Sequence, residues 1–412
     1  MSEDVSKNLS ETLFVKHKQA KETSALTQYM PTSKKILDER EAQGDRAWYR
    51  HLRRLQWAWQ GLSPIEMEGV LSKIASSSHS RTNDDWLDTV MGYHSGNWTF
   101  EWIKLGMDHQ KRANEMQGEE AADELFTASL CFSIAGYPHL KNDNLASQAQ
   151  VLANKAYSDG AEKTKYTIKQ IEVPYQNRKI IANLHLPRTD KQLPVVMVSA
   201  GLDTLQTDMW RLFRNRLAPR DIAMLTVDMP SVGHSSHWPL TENSSCYIKR
   251  YMSFTRYLGL IITKWGLGFV LVVMHDQTLF CRAGKDQSLC RSRRTRTYFY
   301  FPPKKLQKMP KMYLDLLASR LGKNAVDINS MAGQMMAWSL KVQGFLSSRK
   351  TKVPILALSL EGDPVSPHSD NQLVALFSQY GRAKKISSKT ITKGYEQSLD
   401  LAIKWLEDEL LG

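Results

Sequence analysis

Three short stretches of this 412-residue chain place glycine, carboxylate, hydroxyl and imidazole groups directly after apolar runs. The first is Ala200-Gly201-Leu202-Asp203, where a glycine lets a backbone N–H approach a substrate oxygen as an oxyanion hole requires. The second is Asp228-Met-Pro-Ser-Val-Gly-His-Ser-Ser236, and the third is Leu360-Glu-Gly-Asp-Pro-Val-Ser-Pro367. Such loops, beyond the C-terminal ends of buried strands, are where open α/β sheets bind ligands. The chemistry they suggest is acid/base activation of water. Asp203 and Asp363 are candidate catalytic carboxylates, and His234 is a candidate proton-transfer group. Gly201, Asp228 and Ser235 are candidate substrate-binding positions. Each has a plainer alternative: Asp203 caps the following helix, Asp228 braces its own loop, Ser235 holds backbone, and His234 is a half-exposed loop residue.

The elements that must position these loops follow from hydrophobic pattern. Leu193 to Ala200, Asp221 to Asp228 and Val353 to Leu360 are nearly continuous apolar runs, the mark of strands buried on both faces. A helical stretch, Thr207 to Leu217, links the first two into a strand–helix–strand unit and predicts a parallel sheet. Tyr166–Pro174 and Lys179–Pro187 predict a hairpin turning at Tyr175-Gln-Asn-Arg178. Lys311–Leu321, Met331–Leu346 and Asn371–Tyr380 predict helices, and Ala383–Ile391 a strand. Glu396 to Leu410 predicts a closing amphipathic helix. Residues 1–150 predict a helical N-terminal domain, and 151–412 an α/β domain. The front half carries Trp48, Trp57, Trp59, Trp86, Trp98 and Trp102, read as core packing with an aromatic ligand pocket as the alternative. Thr82 to Asp85 predicts a helix start before Trp86.

Composition excludes several classes. Four scattered cysteines without a CxxC pair argue against a disulfide framework or a zinc site. No metal motif, phosphate loop or dinucleotide fingerprint is present, so no cofactor is expected. The net charge of +13 is local. Residues 247–302 hold ten Lys/Arg and only Asp276 and Asp286, and the remaining chain is nearly balanced. Neither nucleic-acid nor membrane partners are therefore expected. Met1 to Gln19 is polar, without a signal-peptide core, which points to the cytoplasm.

Taken together, the three loops resemble the α/β-hydrolase superfamily, with Asp228, Pro230, Gly233 and Ser235 on its Asp-x-Pro-Gly-x-Gly-x-Ser loop and Asp363 at the triad acid. With the helical front included, the chain outside 247–302 resembles the FrsA family, the fermentation-respiration switch proteins of gamma-proteobacteria. Trp86-Leu-Asp-Thr-Val-Met-Gly-Tyr93, Val227 to Ser236, Leu360 to Ser366 and Gly394-Tyr-Glu-Gln-Ser-Leu-Asp400 carry that resemblance. It implies an α/β-hydrolase core behind a helical domain, and carboxylic-ester hydrolysis. The alternatives it implies are a non-catalytic regulator that keeps the hydrolase scaffold to bind the glucose-specific IIA protein of the phosphotransferase system, and cofactor-independent decarboxylation of pyruvate. The expected small-molecule partner is an ester or a small carboxylate.

A triad is not visible. No Gly-x-Ser-x-Gly elbow occurs, and the loop Thr392-Lys-Gly-Tyr-Glu396 lacks the histidine a triad needs. The family's elbow resembles Gly-Phe-Arg-Phe-Gly-Gly, absent here but recoverable from codons for Gly266 to Met274 shifted by two bases. The expectation is that 247–302 is read out of frame; made as written, these residues would leave the sheet without its inner strand. A membrane span over Leu258–Met274, interrupted by Lys264, and an amphipathic surface insertion are the competing readings.

Overall fold

The computed structural model describes residues 47–199, 201–241, 244, 262–269, 280–284, 303–336, 350, 354–361, 372, 375, 376 and 378–411, with 262–269 and 280–284 as backbone alone. Five helices come first: α1 (Arg54–Gln60), α2 (Pro64–Ala75), α3 (Trp98–Asn114), α4 (Gly118–Gly136) and α5 (Asn144–Lys163). Asn97 caps α3 by accepting from the Phe100 N–H, and Asp143 caps α5 through Ala146 N–H. Since α5 runs through residue 150, the helical region extends to Lys163 rather than ending at the expected boundary. The helix start expected at Thr82–Asp85 is instead a set of turns. There the Asn83 side chain accepts from the Asp85 N–H, and Thr89 Oγ donates to the carbonyls of Asn83 and Trp86. These local side-chain bonds compete with a helix and win.

The sheet follows. The hairpin strands β1 (Thr167–Tyr175) and β2 (Arg178–Leu186) turn as expected, with Gln176 and Asn177 at φ 46° and 58°. Then come β3 (Leu193–Ser199), β4 (Ala223–Val227), β5 (Ile262–Phe269), β6 (Phe280–Gly284), β7 (Ile355–Leu360) and β8 (Gly381–Ile386). Their order is β1-β2-β4-β3-β5-β6-β7-β8. β3 is parallel to β4 and β5, β7 to β8, while β2 runs against β4 and β6 against both neighbours. Residues 262–269 thus fill an inner place beside β3. This corrects the expectation that the sequence as written leaves that place empty, and it removes the helical membrane span. The out-of-frame reading otherwise falls outside the described residues. Among the described residues no helix is long and apolar enough to cross a membrane. β8 ends at Ile386, short of the expected Ile391, because Ile391 opens the closing helix α8 (Ile391–Leu411). α6 (Lys311–Arg320) matches its expectation, while α7 (Ile328–Met336) begins three residues earlier than expected. The rest of the segment to Leu346 lies outside the described residues, as do four positions of the helix expected at Asn371–Tyr380, where 372 and 375 are helical but 378–380 form a bridge and a turn.

Every residue of β3 and β4 is buried, which is why their sequences show no alternation. One core packs α8 and residues 209–222 against a sheet face. Another joins the helical region to α6 and α7, so the front of the chain and the segment after the sheet's middle share one interior. Five of the six front-half tryptophans pack there as expected, and Trp59 packs against the other core. Trp98 and Trp102 are fully buried, with ring centroids of Trp57, Trp98 and Trp102 5.7 to 6.3 Å apart.

Candidate functional site

The site lies where the helical region meets the ends of β3 and β4. Gly201 is buried just past β3. Asp203, 3% exposed, does not cap the next helix; Arg53 Nη2 lies 2.6 Å from its Oδ2, and Thr204 Oγ donates to its Oδ1 at 3.3 Å. Arg53 is aimed by its neighbours. Tyr49 and Arg50 N–H both donate to Asp88, and Arg50 Nε donates to Tyr137 O. A buried carboxylate paired this closely with a guanidinium is committed to the ion pair, which argues against Asp203 as the free base.

The expected helix at 207–217 is irregular: Gln206–Met209 and Ala218–Arg220 are 3₁₀ turns around a wide π turn, Phe213–Leu217. Its first turn carries a residue that sequence reasoning missed. Asp208 Oδ2 accepts from Leu205 N–H and from Ser133 Oγ, each at 3.0 Å, while its Oδ1 is buried with no hydrogen-bond partner. Burial is the largest influence on its acidity and pushes it up to about 7, with Asp228 and Asp203 adding in the same direction against the two hydrogen bonds. The signal available in sequence was an acid three residues after Leu205, at the N-terminal turn of a helix.

Asp208 faces a crevice lined also by Arg53, Trp57, Ser133, His139 and Asp203. His139 has φ 60° and a buried Nδ1 without a hydrogen-bond partner. Burial, helped by Arg320, lowers its pKa to about 3, so the ring is neutral. Asp208 also lines a second crevice, with Phe126, Thr207 and Trp210.

Around the crevice the loops are braced. Asp228 Oδ1 accepts from Gln206 N–H at 2.7 Å and its Oδ2 from His234 N–H at 2.9 Å. Burial raises its pKa, while His234 and these bonds act the other way. Gly233 has φ 51°, and a Cβ there would stand 2.2 Å from Asp228 Oδ2. Ser235 Oγ donates to Asp228 O at 3.3 Å and is fully buried. Asp228 and Ser235 therefore hold backbone, the plainer of the two sequence readings. His234 is half-buried beside Asp228 and is not among the crevice's lining residues. Asp363 lies outside the described residues. Arg320, fully buried, donates to Leu202 O at 2.6 Å, Pro138 O and His139 O at 2.8 Å, and Ser231 O at 2.9 Å. Burial lowers its pKa to about 10, still well above neutrality, with Asp203 working against that loss.

The strand order, with β2 reversed and the loops gathered beyond β3 and β4, defines an α/β-hydrolase fold. Among solved structures the chain is similar to 2,6-dihydroxy-pseudo-oxynicotine hydrolase, with a TM-score of 0.64 at 15% identity over 87% of this chain and 95% of that one. It is also similar to AbyA5, with a TM-score of 0.55 at 14% identity over 76% and 88%. The model of the FrsA-like family, described as "Esterase FrsA-like", matches residues 4–411. The chain is 80% identical to "Esterase FrsA" of Vibrio parahaemolyticus serotype O3:K6 (strain RIMD 2210633) and 66% identical to that of Vibrio vulnificus (strain YJ016), each over 100% of both chains. It is 36% identical to "Esterase FrsA" of Yersinia pestis (strain Pestoides F) over 98% of this chain and 99% of that one. The chain belongs to the FrsA-like esterase family and is a hydrolase of esterase type.

Proposed function

We propose that the chain hydrolyses carboxylic esters in the crevice between the helical region and the 201–208 loop, with Asp208 as the proton-transfer group. The observation that carries this reading is the Asp208 carboxyl, with one oxygen fixed by Ser133 and Leu205 and the other free of partners at the crevice wall. In the ionised form, Asp208 takes a proton from water as the water oxygen attacks the ester carbonyl carbon. The resulting oxyanion is met by N–H groups of the loop beginning at Gly201. Collapse breaks the bond to the leaving oxygen, which takes the proton back from Asp208 and departs as the alcohol. Asp203 serves as the fixed counter-ion of Arg53. Asp208→Asn should lower turnover of p-nitrophenyl acetate by at least about 100-fold, read against a heat-denatured control. Unchanged turnover in a folded D208N protein overturns the reading.

A guanidinium beside two acids also favours a second reading, decarboxylation of a small carboxylate such as pyruvate; production of acetaldehyde would mark it. The tie to fermentation and respiration belongs to the same proposal. It is carried either by the ester product or by docking of the glucose-specific phosphotransferase IIA protein, and in the second case the two proteins co-purify. Cytoplasmic residence fits both.

A further inference from the structure

The second crevice shares the bare Asp208 oxygen with the proton-transfer reading and adds two groups, Thr207 and Trp210, which that reading does not use. Thr207, Asp208 and Trp210 are each more than nine-tenths buried and line it. The Thr207 hydroxyl, the Asp208 Oδ1 and the Trp210 indole N–H all lack a hydrogen-bond partner. Buried indole and hydroxyl groups almost always have partners, so three orphans on one wall point to a ligand that supplies them. The remaining wall is apolar and flat: Trp210 stacks on Phe126 with centroids 4.0 Å apart and planes 25° from parallel.

The complement of this wall is a group with both an acceptor lone pair and a donor hydrogen. The indole N–H only donates, an ionised Asp208 only accepts, and the threonine hydroxyl does either. An alcohol hydroxyl has that pattern, and a carboxylate does not, because it brings no donor for Asp208. Asp208 also lines the first crevice, so the two spaces meet at this residue.

We propose that the second crevice is a subsite for a hydroxyl group of the ester substrate, bound by Trp210 Nε1–H and Thr207 Oγ, so that the preferred substrates are short hydroxylated esters. This rests on the esterase reading above. No group is made or broken in the subsite; it selects and positions.

The test compares kcat/KM for ethyl butyrate, 2-hydroxyethyl butyrate and ethyl 3-hydroxybutyrate in the full chain. One hydroxylated ester should exceed ethyl butyrate by about tenfold, the worth of one well-made hydrogen bond. Thr207→Val should erase most of that ratio through KM, Thr207→Ser should keep it, and Trp210→Phe, which retains the stacked ring, should reduce it. Equal kcat/KM for the three esters in the wild type overturns the proposal, as does a ratio preserved in folded T207V. Should W210F fail to fold, the T207V and T207S pair decides alone. If the wild type hydrolyses no ester, the esterase reading fails separately. The subsite is then judged by saturable quenching of tryptophan fluorescence by ethylene glycol: quenching weakened in T207V supports it, and its absence in the wild type overturns it.

Discussion

The 201–208 loop and the 228–237 loop lie side by side at one edge of the sheet, and each carries a buried aspartate. Asp228 has both oxygens occupied by backbone N–H groups, Gln206 on one side and His234 on the other. Asp208 has one oxygen occupied and one bare, on the wall of two crevices. Burial pushes the acidity of both in the same direction. The difference lies in satisfaction: a carboxylate with both oxygens hydrogen-bonded is a brace, and one with an oxygen left bare can take a proton.

The largest effect should come from breaking the brace. Asp228→Ala strands two buried N–H donors in the loops and should cost about 4 kcal/mol, seen as a lower urea midpoint and lost turnover together. Gly233→Ala attacks the same contact from the other side and should cost about 2 kcal/mol. Retained stability in either variant would place the bracing elsewhere.

Asp208→Asn should do the reverse. The folded state holds the Asp208 proton up to about pH 7 whereas the unfolded chain releases it near 4, so wild-type stability falls as pH rises through that window and then levels off. Asparagine keeps an acceptor for Ser133 and Leu205 and removes the buried charge. D208N should therefore match the wild type near pH 4 and gain on the order of 3 kcal/mol above pH 7. Wild-type activity should rise through pH 7 as Asp208 ionises. A D208N protein that is less stable at pH 8 would make Asp208 a second brace and dissolve the contrast.

His139 gives a smaller and opposite effect. Its folded pKa is lowered to about 3, so its contribution is intact above about 6.5 and is lost as pH falls toward 3. His139→Gln should spare about 2 kcal/mol of the loss between pH 7.5 and pH 5, measured by thermal melts at the two pH values. The buried His185, lowered to about 4, should keep the remaining acid sensitivity in place.

Much of the fold was legible in the chain. Continuous apolar runs marked β3, β4 and β7 because both faces of those strands are covered, and Gln176-Asn177 marked the hairpin because both residues take positive φ. The α/β core behind a helical front followed from these. The site was less legible. Gly201 and Asp203 stand at its rim, but its opposite wall comes from Arg53, Ser133 and His139, brought in across long stretches of chain. Arg53 and Arg320 read as ordinary polar residues of amphipathic segments, yet both are buried. Asp208 read as one acid on a regular helix, because the mixture of 3₁₀ and π turns that turns it inward leaves no periodic trace.

Arg320 ties four carbonyls from three separate loops to one guanidinium. Its consequence is kinetic. None of the three loops can lift away without exposing a buried cation and stranding the carbonyls of the other two, so they should breathe as one unit. The backbone amides around Leu202, His139 and Ser231 should then exchange with deuterium at a common rate, although the chain separates them widely. Entry to the crevice would be timed by that single event, and a signal felt at the helical region would arrive at the sheet edge without passing through the core.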